Sequence, residues 1–454
     1  MSSFLFSSLA FVVTLGILIT AHEYGHFWVA RKLGVKVLCF SIGFGKPLWT
    51  RISPVDGTEY RIAVIPLGGY VKMLDEREAP VPEEQLPRAF NRQSLSVRTA
   101  IVAAGPIANF IFAILAFWLV SMMGETGLQP IVAEVKQDTA AYSAGFQIDD
   151  KILAVDQKQT PSWETAVFAI LAASIEKDDV SVHVQDVRGM DRMRLLHLAN
   201  IGDLSASDDP METVGLMPQR PVIPPIIGEL VAGGAAEQGG LQVGDHIVGV
   251  DDQVVNDWRE LVKYIQKHPN TQVQFDLKRA GGYSSVSLKT RAKKDDQSVG
   301  YIGAGVRNYD HLLEQYQVTV QLGPIDAMFA SVEKTASLSW LILKMAGRMF
   351  SGDASVKNLG GPVTIAQSAG QTASYGFVSF LRFLAGLSIS LGVLNLLPIP
   401  ILDGGHLLFF AIEAVKGSPL SERLQAEGQR IGMIVLLMLM GLAFFVDFSR
   451  LLGS

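Results

Sequence analysis

Four stretches of the chain are apolar enough to cross a membrane as helices. They cover about residues 4–29, 99–123, 377–397 and 431–445. Each approaches the roughly 20 residues that a helix needs to cross the hydrocarbon core of a bilayer. Hydrophobic residues make up 49% of the sequence, which is high for a soluble protein. The pattern predicts a membrane protein built on a four-helix transmembrane domain.

The first apolar stretch ends in an unusual polar sequence, His22-Glu23-Tyr24-Gly25-His26. Histidines four residues apart lie on one side of a helix, where both can bind one zinc ion while Glu23 acts on a metal-bound water. The motif alone is weak evidence, and two interfacial histidines at a helix end are the alternative. Placing these polar groups in lipid is costly, however, which favours a hydrolytic zinc site inside the membrane.

A catalytic zinc site needs a third protein ligand and one open position. The single cysteine, Cys39, excludes an intramolecular disulfide and a Cys-rich zinc site. Asp403 is the best candidate, because Pro398 and Pro400 interrupt the helix just before it. His406 is a weaker candidate. The alternative is that Asp403 binds no metal and belongs to an ordinary Asp-Gly turn at the end of a span.

Lysine and arginine residues predict how the chain is oriented. They cluster after the first span, before the second, and between the third and fourth: Arg31, Lys32, Lys36, Arg88, Arg92, Arg98, Lys416, Arg423 and Arg430. The positive-inside rule places both of these loops in the cytoplasm and the long segment of residues 124–374 outside. His26 and Asp403 are then expected at the same membrane face.

The long outer segment contains an internal duplication. Gly145, Asp150 and Trp163 recur as Gly240, Asp245 and Trp258, at a constant offset of 95 residues. Each copy has a glycine and an aspartate before a β-branched strand pattern, and then a helical pattern. This organisation resembles PDZ domains. It predicts two tandem PDZ-like, β-rich domains over residues 124–220 and 221–308.

The segment after the second copy carries apolar residues at helical spacing over residues 324–350, interrupted by charged residues. We expect an amphipathic helix at the outer membrane surface within a linker of residues 309–375. A fifth span would place Asp403 on the opposite side from His26. The remaining predicted segments are residues 1–30, 31–96, 97–123, 376–405, 406–428 (a cytoplasmic loop) and 429–450.

Residues 60–73 are rich in strand-forming side chains around a Pro-Leu-Gly-Gly turn signal, which predicts a β-hairpin. An edge of this hairpin is a candidate site for pairing with an unwound substrate, through Gly68, Gly69 and Tyr70. A purely structural cytoplasmic hairpin is the alternative. In the second span, Asn109 is interpreted either as an interhelical hydrogen-bonding residue or as part of the substrate path.

HEYGH in the first span, NLLPIPILDGGH after the third, and PDZ-like domains between them resemble the site-2 protease family of intramembrane zinc metalloproteases. AAGPIANF, GFGKPLW and IPLGGYVKMLDE extend the resemblance over essentially the whole chain. It implies Zn²⁺ held by His22, His26 and Asp403, with Glu23 as the catalytic carboxylate. It also implies a contact from Asn395 to the substrate and a hairpin that re-enters the membrane.

The expected function is that of a zinc endopeptidase in the bacterial inner membrane that cuts single-pass membrane proteins. Its active site is expected toward the cytoplasm and its PDZ-like domains in the periplasm. The resemblance implies two substrate classes, an anti-sigma factor already shortened by another protease and remnant signal peptides. The net charge of −6 and the lack of a basic face argue against nucleic acid. A non-catalytic PDZ scaffold and a metal transporter are the alternatives.

Overall fold

A computed structural model describes residues 3–176, 179–199, 204, 209–279, 281–293, 296–307, 309, 312, 314–351 and 360–452. The chain forms two compact units. The first comprises Met1–Glu125 and Gln321–Phe444, and the second comprises Thr126–Val320 and Phe445–Ser454. The described part contains four helices long and apolar enough to cross a membrane, which agrees with the predicted number: Leu5–Lys32, Leu95–Met123, Phe377–Leu396 and Arg423–Phe448.

The helices of the described residues differ greatly in length, and the long ones are those of the four apolar stretches together with Pro324–Ser351. In chain order they are α1 (Ser3–Lys32), α2 (Leu95–Met123), α3 (Ala140–Ser143), α4 (Trp163–Glu176), α5 (Pro210–Val214), α6 (Ala235–Gln238), α7 (Trp258–Gln266), α8 (Pro324–Ser351), α9 (Pro362–Ser374), α10 (Phe377–Leu396), α11 (Asp403–Lys416) and α12 (Glu422–Leu452).

The strands are mostly short and lie in the second unit, apart from the first two. They are β1 (Val37–Ile52), β2 (Glu59–Met73), β3 (Glu125–Leu128), β4 (Val132–Val135), β5 (Lys151–Val155), β6 (Lys158–Gln159), β7 (Asp179–Gln185), β8 (Asp191–His197), β9 (Leu216–Pro218), β10 (Ile227–Leu230), β11 (His246–Val250), β12 (Gln253–Val254), β13 (Gln272–Arg279), β14 (Gly282–Lys289), β15 (Arg291–Lys293), β16 (Asp296–Tyr301), β17 (Ala304–Val306) and β18 (Gln317–Val320).

The core of the first unit lies between α2 and α10, with side chains from α1 and α8 added to it. Its buried members are Leu18, Ala113, Ala116, Phe117, Val120, Leu381, Leu384, Ala385, Ile389 and Val393. From α8, Leu338 and Ile342 pack against this cluster, while Ile325 and Phe329 are exposed, which gives α8 one packed and one exposed face. The predicted linker of residues 309–375 therefore holds two helices, α8 and α9, of the first unit.

The end of α10 is explained by the proline that follows it. Pro398 has no backbone N–H to continue the hydrogen-bond ladder, and α10 ends at Leu396. The chain then turns tightly and α11 begins at Asp403. The predicted cytoplasmic loop of residues 406–428 is helical as far as Lys416, because the apolar residues after Asp403 continue at helical spacing, and it is helical again from Glu422, where α12 begins.

Strands β1 and β2 form a sheet against the ends of α1 and α2. Residues 39–42 of β1 pair with residues 59–62 in parallel order and with residues 69–72 in antiparallel order, so the chain reverses between Ile62 and Gly69. This agrees with the turn predicted at residues 66–69, although β2 is assigned as continuous through it. Ser41 thus pairs with both Arg61 and Tyr70, and residues 69–73 lie along an outer edge. Edge-on and tilted ring contacts between Phe27, Phe40 and Tyr60 anchor the sheet to α1.

The second unit contains the two copies of the repeat. Each has a four-stranded sheet, in the order β6-β5-β7-β8 in the first copy and β12-β11-β13-β14 in the second. The equivalent residues Asp150 and Asp245 are 0% and 1% exposed, and arginines from non-equivalent strands neutralise them: Arg194 at 3.2 Å and Arg279 at 2.6 Å. Burial alone raises the pKa of Asp245, but its hydrogen bonds to Arg279 and the Gln242 amide lower that pKa below its usual range.

Candidate metal centre

Three side chains from opposite ends of the first unit converge at one point. His22 and His26 lie one turn apart on α1, and Asp403 is the first residue of α11. Asp403 Oδ2 is 3.2 Å from His22 Nε2 and 3.4 Å from His26 Nε2, and the two Nε2 atoms are 3.3 Å apart. Among the described residues, this is the cluster whose donor atoms lie close enough together to hold a metal ion.

The size of this triangle fits a tetrahedral zinc ion. With bonds of about 2.05 Å, tetrahedral geometry places the ligand atoms roughly 3.3 Å apart. The three separations in the protein are 3.2, 3.4 and 3.3 Å. Asp403 Oδ2 is buried and receives no hydrogen bond from the described residues. This is expected of a carboxylate oxygen that binds a cation instead of a hydrogen-bond donor. Two imidazoles and one carboxylate are a donor set that zinc accepts, with a fourth position left open.

Helix α2 supports both histidines from behind. His26 Nδ1 is 2.8 Å from the carbonyl oxygen of Ile101, and His22 Nδ1 is 3.1 Å from Asn109 Nδ2. Gly105 lies between these two contacts, where a Cβ atom would come within 2.2 Å of His26 Nε2. Each imidazole is therefore held through Nδ1, and its Nε2 is directed toward Asp403.

Glu23 lies beside the histidines and next to the outer edge of the β1–β2 sheet. A Cβ atom added to Gly69 would be 3.0 Å from Glu23 Cγ, so the backbone of this strand passes close to the Glu23 side chain. Tyr70 stacks on Phe44, and the backbone of Gly68 lies against the same Phe44 ring. The sheet thus brings Gly69 to the site, while Gly68 and Tyr70 contact a neighbouring side chain of the sheet.

The helix that carries Asp403 is fixed by an ion pair to α2. Arg98 donates two hydrogen bonds to Glu413, at 2.5 and 3.2 Å, and its guanidinium lies 5.0 Å from the centre of the Phe410 ring. Both partners of the pair are largely buried, at 14% and 13% exposure. This ion pair holds α11, and Asp403 at its start, against the helix that supports the histidines.

The structure separates the two candidates for the third ligand. Asp403 faces both histidines, whereas His406 lines a cavity of about 640 Å³ with Arg98 and Glu413. Asn395 lies half-buried in the last turn of α10, just before the break that leads to Asp403. The contacts from Ile101 and Asn109 were not specified by the sequence, because they depend on which face of α2 packs against α1.

Known protein sequences match this chain over nearly its full length. The sequence model of peptidase family M50 matches residues 10–439. The "Regulator of sigma-E protease RseP" of Salmonella typhimurium is 44% identical over 456 residues, covering 99% of this chain and 100% of that protein. A "Putative zinc metalloprotease" of Vibrio cholerae is 42% identical over 456 residues with the same coverage. The PDZ domain of an SdrC-like protein from Listeria monocytogenes matches with a TM-score of 0.17 and 18% identity, over 19% of this chain and 92% of that domain.

The chain belongs to peptidase family M50. This confirms the resemblance to the site-2 proteases and the prediction of a zinc-dependent, membrane-embedded protease. A scaffold without catalysis and a metal transporter do not fit a full-length match to relatives that are named proteases.

Proposed function

We propose that His22, His26 and Asp403 hold the catalytic zinc ion and that Glu23 is the general base. The observation that supports this is the triangle of donor atoms with sides of 3.2 to 3.4 Å, which has the dimensions of one face of a zinc tetrahedron. When bound, zinc polarises the scissile carbonyl and lowers the pKa of a water molecule toward about 7. Glu23 takes the proton from that water and delivers it to the leaving amine.

The edge of the sheet is the proposed substrate platform. Peptide bonds in a transmembrane helix are shielded, and unwinding them in lipid exposes backbone groups at several kcal/mol each. Residues 69–73 pair with β1 on one side only in the described structure, and Gly69 lies close to the Glu23 side chain. An unwound substrate that adds to this edge as a strand satisfies its backbone and passes beside the catalytic carboxylate. Asn395 is proposed as a polar contact to the same substrate.

The proposed setting is the bacterial inner membrane, with the metal centre toward the cytoplasm and the repeats in the periplasm. The distribution of lysine and arginine supports this orientation. The proposed substrates are single-pass membrane proteins, namely an anti-sigma factor already cut once and remnant signal peptides. The relative from Salmonella typhimurium carries a name that refers to sigma-E, which supports the first class. The repeats are proposed to fold as PDZ-like domains that exclude substrates with bulky outer domains.

Metal analysis of the purified, full-length protein tests the centre directly. Wild type is expected to hold one zinc ion per chain, and His22→Ala and Asp403→Ala are expected to lose it. His197→Ala removes a 64% exposed histidine outside the centre and serves as the matched control. Glu23→Gln is expected to keep zinc and to accumulate uncut substrate, because the amide cannot accept the proton from water.

Three results would contradict the proposal. One is wild-type protein without stoichiometric zinc after purification in the presence of the metal. Another is normal cleavage by Glu23→Gln, which would assign the general base to another group. The third is retention of zinc by Asp403→Ala, which would leave the histidines in place but require a different third ligand.

A further inference from the structure

Asn109 is a buried polar residue of α2 with incomplete hydrogen bonding. It is 0% exposed, and its Nδ2 lies 3.1 Å from His22 Nδ1. Its Oδ1 has no hydrogen-bond partner among the described residues. A buried acceptor without a donor has lost its hydrogen bonds to water and gained none from the protein, so this arrangement needs a reason.

The orientation of a carboxamide is assigned from its hydrogen bonds, because its nitrogen and oxygen have nearly the same shape. A histidine that binds a metal through Nε2 carries its proton on Nδ1 and donates it to an oxygen. His26 already follows this rule, since its Nδ1 lies 2.8 Å from the Ile101 carbonyl oxygen. His22 follows it only if the Asn109 carboxamide is turned so that Oδ1 faces Nδ1–H. That rotation also gives the unpartnered oxygen a donor.

We propose that Asn109 is a positioning residue for the metal centre. Its Oδ1 accepts the Nδ1–H of His22, which fixes the tautomer and the ring orientation with Nε2 toward the metal. The inference rests on the zinc site proposed above. In this arrangement one helix supplies both acceptors, with the Ile101 carbonyl serving His26 and Asn109 serving His22 one turn away on α1.

The backbone of Asn109 is held independently of its side chain. Ser388 on α10 donates a hydrogen bond from Oγ to the Asn109 carbonyl oxygen at 2.9 Å. Gly392, one turn further along α10, passes so close that an added Cβ would be 3.4 Å from Asn109 Cβ. Packing against the third span therefore fixes the position of the Asn109 backbone and Cβ, from which the carboxamide extends. A variant at Ser388 perturbs the same pair of helices without removing the acceptor for His22.

The test uses the full-length protein in detergent and measures zinc affinity by competition with a chromophoric chelator. Asn109→Leu keeps the approximate shape and removes the acceptor, so its zinc affinity should fall roughly 10- to 100-fold. Asn109→Asp also accepts a hydrogen bond from Nδ1–H, so it should bind zinc much as wild type does. Ser388→Ala should likewise stay close to wild type. Circular dichroism and gel filtration report whether each variant folds, and Asn109→Ala replaces the leucine variant if that one does not.

If Asn109 has only a structural role as a donor through Nδ2, the variants are expected to show a different order of zinc affinities. An ionised aspartate cannot donate, so Asn109→Asp would then bind zinc as weakly as Asn109→Leu. That result in folded protein would overturn the inference. Wild-type zinc affinity in the variant without an acceptor, Asn109→Leu or its replacement Asn109→Ala, would also overturn it. Loss of zinc from wild type, or its retention by His22→Ala, would instead overturn the metal centre itself, so the two failures are distinguishable.

Discussion

Gly105 is the residue where α2 passes closest to the two histidines. A Cβ atom there would lie 2.2 Å from His26 Nε2 and 2.8 Å from His22 Cε1. Both imidazoles would have to move, and metal–ligand distances tolerate only about 0.2 Å of error. Gly105→Ala is therefore expected to lower zinc affinity by about tenfold or more, through displacement rather than loss of a ligand. Chelator competition on folded, full-length protein measures this change.

Gly386→Ala is the matched control in another membrane helix. Apart from its chain neighbours and the adjacent backbone of α10 itself, no described atom lies within 4 Å of a Cβ at this position. Alanine also favours a helix over glycine by about 0.5–1 kcal/mol, so this variant should bind zinc normally and unfold no more easily than wild type. Equal zinc affinity in the two variants would show that the histidines tolerate a side chain at Gly105.

The sequence allowed the histidine pair and Asp403 to be predicted as neighbours, because a motif, a helix break and the charge pattern pointed to one membrane face. It did not indicate that Asn109 contacts His22. That contact depends on the rotation of α2 about its axis, and apolar residues cover nearly all of this helix, so no periodic polar face reports its orientation. A lone asparagine in such a helix is informative only once the packing is known.

At the scale of elements, the β1–β2 sheet shows how far a local signal predicts a fold. Pro66, Gly68 and Gly69 have the composition of a turn, and the chain reverses between Ile62 and Gly69. Ile42 pairs with Ile62 in a parallel series and with Gly69 in an antiparallel series, so both arms of this turn pair with the same stretch of β1. The local pattern predicts the reversal but not this shared partner, because strand pairing depends on residues that are distant in the sequence.

The ion pair between α2 and α11 has a testable role in holding the helix of Asp403. Removing one partner of a largely buried pair leaves an uncompensated charge and costs about 3–5 kcal/mol. Glu413→Gln is expected to lower the thermal unfolding temperature of the full-length protein and, by releasing α11, its zinc affinity. The double variant Glu413→Gln/Arg98→Met should recover much of the stability, because neither charge is then left alone.

An exposed ion pair provides the comparison. Arg430 and Glu427 are 76% and 54% exposed, and pairs in such positions contribute at most about 1 kcal/mol. Glu427→Gln should therefore leave both the unfolding temperature and zinc affinity unchanged. If Glu413→Gln behaves like Glu427→Gln, the pair on α11 does not hold the metal centre together.

At the scale of the whole molecule, the two segments of the first unit are joined by hydrogen bonds that do not involve the repeats. Where the chain leaves this unit and returns, Leu322 N donates to the Ser121 carbonyl at 3.0 Å and Gln321 Nε2 donates to the Met122 carbonyl at 2.8 Å. Trp118 Nε1 also donates to the Pro324 carbonyl at 2.9 Å. The two halves of the metal centre are thus joined by contacts that lie outside residues 126–320, which makes the repeats removable in principle.

Deletion of residues 131–308 tests the proposed role of the repeats as a size filter. Close to the two ends, Gln129 N donates to the Tyr316 carbonyl at 2.8 Å, so a short Gly/Ser linker can join residues 130 and 309. The shortened protein should keep zinc and cleave two single-pass substrates that differ only in the size of the outer domain, whereas wild type should cleave only the trimmed one. Glu23→Gln in the shortened protein shows whether cleavage comes from this site. If the shortened protein retains zinc and still rejects the larger substrate, selection by size resides in the helices or the β1–β2 sheet, and the repeats serve another purpose.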